Sequence, residues 1–295
     1  MIRPLLAATI DPKKEPGVFS KLRFPLMLSP KLDGIRGLCY NYGVYSREGI
    51  LLPSEQVQGL FSQYDGYDSE IVVGEPNTMN VYNRTQSSVM SKGKPADVTM
   101  YVIDRIGMPG TFRQRYNQLQ KEFEVERERV KLIPQYIAGN LEEFFQIETD
   151  FLEQGFEGVM ARNPESPYLY KRSTMNEHAL MKLKRFTDVE VVVIGFVEQM
   201  RNTNTATLDA LGYTKRSAAK EGMVPAGTLG KFVVDFGGIA LEIGCGAFTH
   251  KERQFIWDHQ SMFTRKILKM RYFGVGQDGY LPRFGRAVGW RNFGE

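Results

Sequence analysis

Apolar and polar positions change period several times along the chain, and each change marks an element. Residues 35–46 (IRGLCYNYGVYS) read as a hairpin around Asn41-Tyr42-Gly43. Residues 70–73 and 98–104 (VTMYVID) are rich in β-branched and aromatic side chains and predict strands. Thr111 with Gln114 forms a capping-box pattern, and Phe112, Tyr116, Leu119, Phe123 and Val130 then recur near helical spacing. A second helix is expected from about Leu141 to Gln154, with Asn140 as its cap and Gly155 as its stop. Short strands follow at 157–161 (EGVMA) and 180–184 (LMKLK).

The texture changes near Thr187-Asp188. Residues 189–198 (VEVVVIGFVE) predict a long strand, and a polar, basic stretch from about Arg201 to Ala226 reads as a long loop. A hairpin is expected at 231–236 and 239–244, and Thr249 with Glu252 opens a helix through about Phe263. Two last strands fall near 267–273 and 280–290. Strand, strand, strand, helix, strand, strand is the order of a five-stranded OB barrel. The expected fold is therefore α+β, with one domain over 1–186, an OB barrel over 187–295 and a hinge near Phe186–Val189.

Composition narrows the class. A chain of 295 residues, 42% hydrophobic and 24% charged, suits two folded domains. The net charge of +4 permits a polyanionic partner without requiring one. Cys39 and Cys245 have no Cys or His neighbours at metal-ligand spacing, which excludes a zinc finger and suits a reducing cytoplasm. No signal peptide or membrane span is read, and a monomer is expected.

Candidate chemistry enters at Lys31-Leu32-Asp33-Gly34-Ile35-Arg36. Asp-Gly is an ordinary turn signal, so a solvated surface turn is one reading. The other makes Lys31 a covalent nucleophile, which needs a deprotonated amine and hence burial or cationic neighbours such as Arg36, Arg47, Lys182 and Lys184. Lys182 and Lys184 lie two apart on a predicted strand and so share a face, as do Tyr101 and Ile103.

These residues resemble the K-x-D-G-x-R signature of covalent nucleotidyltransferases, the superfamily of ATP-dependent DNA ligases, RNA ligases and mRNA capping enzymes. Further blocks follow in the family's order: Ser46-Arg47-Glu48-Gly49; Asp68-Ser69-Glu70, with serine where glycine is usual; Tyr101-Val102-Ile103-Asp104; Glu157-Gly158-Val159-Met160; and Lys182-Leu183-Lys184. Pro282-Arg283-Phe284-Gly285-Arg286, with Arg291 beyond, resembles the arginine-rich last block of ATP-dependent DNA ligases. Small bacteriophage-encoded two-domain ligases are the most similar in plan.

The resemblance implies a nucleotidyltransferase domain followed by an OB domain, and an ATP-dependent DNA ligase that seals 3′-hydroxyl/5′-phosphate nicks in duplex DNA. Lys31 would carry AMP, with Asp33 and Arg36 in the same catalytic motif. Glu70 and Glu157 would hold ribose and Mg²⁺, for which Mn²⁺ can substitute, and Lys182 and Lys184 would neutralise the α-phosphate. Arg47 and Arg172 would approach phosphates, and Arg36 and Arg47 also the DNA. Tyr101 would stack on adenine with Ile103 beside it, and Ser29 would meet the adenine amino group. Arg286 and Arg291 would orient the departing pyrophosphate. Only thirty residues precede Lys31, which favours ATP over NAD⁺, and the location expected is the cytoplasm, that of the host for a phage protein. The loop from Arg201 to Ala226, with Arg201, Lys215, Arg216 and Lys220, is expected to grip DNA phosphates. Rival readings are an RNA ligase, a capping guanylyltransferase, and a catalytically inactive nucleic-acid-binding protein.

Overall fold

Two five-stranded sheets, a closed barrel and a two-stranded ribbon organise the chain in the computed structural model. It describes residues 2–12, 15–78, 81–93, 96–184, 186–208, 214–272, 282 and 285–291. Two units separate, Met1–Lys184 and Arg185–Glu295.

In the first unit one sheet has the order β1 (Ala8–Thr9), β10 (Leu180–Lys184), β9 (Gly158–Arg162), β2 (Leu26–Pro30), β8 (Tyr136–Ala138). The other runs β4 (Gly43–Tyr45), β3 (Ile35–Tyr40), β5 (Tyr67–Val73), β6 (Val98–Arg105), β7 (Val130–Leu132). The β3–β4 hairpin turns at Asn41 and Tyr42, with φ of 48° and 55°. Such left-handed pairs match the twist of the flanking strands. Helices α1 (Glu55–Phe61), capped by Ser54 Oγ accepting from the Val57 amide at 3.4 Å, and α2 (Val81–Val89) were not anticipated. In α3 (Phe112–Glu122) the capping box forms: Gln114 Oε1 accepts from the Thr111 amide at 2.9 Å, and Thr111 Oγ1 from that of Gln114 at 3.3 Å. Val130 continues the helical spacing but lies in β7, so the helix ends about two turns sooner than its apolar pattern. In α4 (Leu141–Glu153) Asn140 caps the Glu143 amide at 2.9 Å, and Gly155 stops the chain at φ 89°.

Each sheet has its own core. Leu26, Leu28, Val159, Ala161, Met181 and Leu183 pack against Phe144 and Phe151 of α4. Ile71, Val98, Met100 and Val102 pack with Val57 and Phe61 of α1, Val89 of α2 and Leu119 of α3. Burying this much apolar surface stabilises each layer by roughly 25 cal/mol per Å² removed from water.

The second unit is an OB barrel. Its strands close in the order β11 (Thr187–Asn202), β14 (Met223–Phe236), β15 (Ile239–Gly244), β17 (Arg286–Trp290), β16 (Ile267–Tyr272). All neighbours are antiparallel except β15 and β17. Helices α5 (His250–Asp258) and α6 (Gln260–Phe263) replace the single helix expected, with a break at His259. Trp290 packs edge-on to Phe232 at 5.6 Å and stacks on Phe263 at 5.1 Å, joining the barrel core to α6. The stretch expected as a loop from Arg201 to Ala226 is mostly not one. β11 runs to Asn202 and β14 starts at Met223, with pairs from Met200–Pro225 to Asn202–Met223. The ribbon of β12 (Ala206–Leu208) and β13 (Thr214–Arg216) extends this arm. Threonine and valine suit paired strands, and polar composition alone misread them. Of the last expected strand, residues 280, 281, 283 and 284 lie outside the described ones, and β17 begins at Arg286.

Candidate active site

Strand alternation decides which side chains leave the α4 core. Leu26 and Leu28 face α4, so Met27 and Ser29 face the other way, and Met27 packs with Phe112 and Tyr116. Val159 and Ala161 leave Met160 and Arg162 on that far face, and Met181 and Leu183 leave Lys182 and Lys184 there. Register sets Ser29 opposite Met160, and Met160 opposite Lys182. All three line a cavity of about 190 Å³, with Arg36, Glu70 and Ile103 of the second sheet.

Lys31 follows directly on β2 and is clamped at both ends of its peptide. Its amide donates to Gly158 O at 2.9 Å, and its carbonyl accepts from the Glu157 amide at 3.3 Å. Its Nζ ion-pairs with Glu157 Oε2, while Lys184 Nζ lies 3.3 Å from Glu157 Oε1. One carboxylate thus holds two of the three expected lysines. Gly158 has φ 150°, and a Cβ there would overlap the Leu183 carbonyl, so this crossing needs glycine. Gly34 is constrained in the same way: a Cβ would strike the Ile71 carbonyl and lie 2.9 Å from Glu70 Cγ.

The second wall is a charge ladder. Arg36 on β3 sits opposite Glu70 on β5, and Glu70 opposite Tyr101 on β6. Arg36 pairs in bidentate fashion with buried Asp68, Nη2 to Oδ2 at 2.6 Å, and Tyr168 donates to the same carboxylate at 2.7 Å. Burial works against the Arg36 charge, but Asp68 outweighs it and holds the guanidinium above its ordinary range. Burial pushes the Glu70 carboxyl up to about 7, with Arg36 and Lys31 offsetting part of the effect. The Lys182 ammonium is lowered, first by burial and then by Lys31, Lys184 and Arg172. Arg47 reaches the cavity edge and contacts Glu48; Arg172 also lines the cavity and donates to Ala7 O at 2.8 Å.

The expected residues divide accordingly. Ser29, Lys31, Arg36, Arg47, Glu70, Ile103, Arg172 and Lys182 line one cavity. Glu157 reaches it through Lys31, and Lys184 through Glu157, whereas Asp33 is outside the lining. Tyr101 is outside it too: it packs against the cluster of Val72 and Val81, while Ile103 lines the cavity. A single strand cannot show which of two same-face residues stands nearer the nucleophile.

Arg162 was not anticipated, though its even spacing from Met160 signals the same face. It lines the cavity and ion-pairs with Asp104, which Arg115 also engages through Nε at 2.7 Å and Nη2 at 3.1 Å. Arg115 and Asp104 are wholly buried. Gln135 also lines the cavity and belongs to no signature block. In the second unit, Arg286 lies over the Phe186 ring at 5.4 Å and Arg291 pairs with Glu190 at 2.9 Å. Arg201, Arg216 and Lys220 are exposed on the arm; Arg283 and the Lys215 side chain lie outside the described residues. No group of three or more His, Cys, Asp or Glu able to hold a metal occurs among the described residues.

The family model for the ATP dependent DNA ligase domain matches residues 4–184, the whole of the unit that contains this cavity apart from its first three residues. The chain belongs to the ATP-dependent DNA ligase family. The DNA ligase of African swine fever virus (isolate Tick/Malawi/Lil 20-1/1983) is 26% identical over 116 residues, which are 37% of this chain and only 27% of that protein's length. A solved Chlorella virus DNA ligase-adenylate is 27% identical, covers 99% of this chain and 100% of its own, and superposes with a TM-score of 0.54. A solved Lig E DNA ligase, at 19% identity and a TM-score of 0.71, covers 99% of this chain and 100% of its own and shares the fold. Six of the family's blocks converge on the cavity of the first unit or on the side chains that reach Lys31, and the seventh belongs to the barrel unit. No helix among the described residues is long and apolar enough to cross a membrane.

Proposed function

We propose that the protein is a DNA ligase that uses ATP to seal nicks in duplex DNA through a lysine–AMP intermediate on Lys31. The observation that carries this is one cavity lined by Lys31 and Lys182 and, from the opposite sheet, by Glu70 and Arg36, with Glu157 pairing to Lys31 and to Lys184 beside it. Lys31 Nζ attacks the α-phosphorus; the N–P bond forms as the P–O bond to pyrophosphate breaks. Its proton must leave first, and the Glu157 carboxylate in contact with Nζ is the acceptor within reach. Lys182 and Lys184 would neutralise the α-phosphate charge as it redistributes. The AMP then passes to a DNA 5′-phosphate, and attack by the 3′-hydroxyl releases it.

Glu70 and Glu157 fit a Mg²⁺ site completed by nucleotide phosphates, since one or two carboxylates commonly suffice for that ion. When bound, Mg²⁺ would supply neutralisation of phosphate charge. The arm with Arg201, Lys215, Arg216 and Lys220 would meet DNA phosphates, and the protein would act as a cytoplasmic monomer.

Incubation with α-labelled ATP or GTP and Mg²⁺, followed by denaturation, tests the reading. Label from ATP alone, lost in Lys31→Ala, is expected. Label from GTP would indicate capping chemistry, and none would indicate an inactive binding protein.

A further inference from the structure

Across the first sheet, one hydrogen-bonded row carries a side chain from each of four strands or their ends into the cavity. Ser29 pairs with Met160 and Met160 with Lys182. On the other side of β2, Leu28 pairs with Tyr136, and continuing that register one step sets Gln135 beside Ser29. Gln135, Ser29, Met160 and Lys182 all line the cavity. Neighbouring strands lie about 4.8 Å apart, so the row spans roughly 14 Å from Gln135 to Lys182. Its Lys182 end is cationic, beside Lys31, Lys184 and Arg172. The middle is Met160, facing Ile103 and Ile133, and the Gln135 end is polar and uncharged. A nucleotide has the same polarity, with an anionic phosphate, a flat apolar ring and a hydrogen-bonding ring edge.

Gln135 Oε1 is buried and accepts no hydrogen bond from the described residues. An unsatisfied buried amide oxygen is costly and uncommon, and at a cavity wall it suits a ligand donor. Its backbone, by contrast, is held. Tyr116 donates to Ile133 O at 3.1 Å, and the Gln135 peptide hydrogen-bonds the same phenol. The side chain is presented from a braced segment.

We propose that Gln135 is the residue by which this site recognises the purine 6-amino group: Oε1 accepts its N–H while Nε2 donates to the adjacent ring nitrogen, the pairing glutamine makes with adenine. This rests on the ATP-dependent ligase reading. Lys182 and Lys31 take the phosphate end of the row, Met160 and Ile103 the ring faces, and Gln135 with Ser29 the ring edge. Gln135 selects the base and takes no part in phosphoryl transfer.

The test compares ATP with purine riboside 5′-triphosphate, which has hydrogen in place of the 6-amino group, in self-labelling of the full chain. The half-saturating concentration of each is measured for the native protein, Gln135→Leu and Gln135→Glu. Native protein prefers ATP. In Gln135→Leu that preference shrinks about tenfold, the worth of one hydrogen bond, through the half-saturating concentration and not the maximal rate. Gln135→Glu keeps an acceptor at the same place and retains the preference, which separates recognition from folding. An unchanged preference in Gln135→Leu overturns the inference and leaves the ligase reading intact. Native protein that takes no label from ATP overturns both.

Discussion

Asp104→Asn isolates the energetics of the buried charge cluster beneath the cavity. Asp104 accepts from Arg115 at 2.7 and 3.1 Å, from the Arg105 amide at 2.7 Å, and from Arg162. Arg115 and Asp104 are 0% exposed and Arg162 5%, so no solvent replaces a lost partner. Asparagine keeps the volume and one acceptor but removes the charge, leaving two guanidiniums buried without an anion. Breaking a buried pair from one side costs about 3–5 kcal/mol. The single acceptor that survives and the stacking of Arg162 on Phe112, 4.4 Å to the ring centroid, do not offset it. The expected loss is therefore about 4 kcal/mol from the unfolding free energy of the first unit. Urea unfolding followed by far-UV circular dichroism measures it. Fluorescence reports the second unit alone, because both tryptophans, Trp257 and Trp290, lie there. Screening hardly reaches a buried cluster, so 1 M salt should restore little. A loss below about 1 kcal/mol, or recovery in salt, would refute the claim that Asp104 neutralises both arginines.

Glu70 gives a pH signature: its folded-state value near 7 lies above the ordinary 4.5, so the folded protein keeps a proton the unfolded chain has lost. Stability is then fullest below about 4.5 and falls as pH rises through 7, by roughly 3 kcal/mol at most. Melting temperatures of Glu70→Gln across pH 5–8 should fall less than those of the native protein, and parallel curves would show that Glu70 titrates normally. Replacing Lys215, Arg216 and Lys220 with alanine should weaken nick binding and reduce its salt slope by up to about three counterions, with self-labelling kept; identical slopes would leave the arm without a phosphate contact. Arg286→Ala and Arg291→Ala should impair reaction with ATP more than sealing of a nick already carrying AMP, since pyrophosphate is absent from the last step, and equal losses would place these arginines elsewhere.

Local chemistry determined a good part of this protein by itself. The caps at Thr111, Asn140 and Thr249 form as written, because a capping hydrogen bond spans three residues and needs nothing from the rest of the chain. The OB order was legible because its strands and its capped helix each carry a local signal, while α1 and α2, at seven and nine residues, are too short for an apolar period to show. Period two showed that Lys182 and Lys184 share a face, yet only packing of Met181 and Leu183 against α4 decided which face that is. The long arm was misread because pairing of β11 with β14 across some twenty residues, and not composition, makes it a ribbon. Within the site, the signature blocks named Lys31, Glu70 and Glu157, but not the lysine–carboxylate contact among them. Nor did they distinguish Ile103 from Tyr101 at the cavity wall, or bring Arg162 to Asp104. Strand register set Gln135, Ser29, Met160 and Lys182 in one row. Register is a hydrogen-bonding choice between segments more than a hundred residues apart, and no local pattern encodes it.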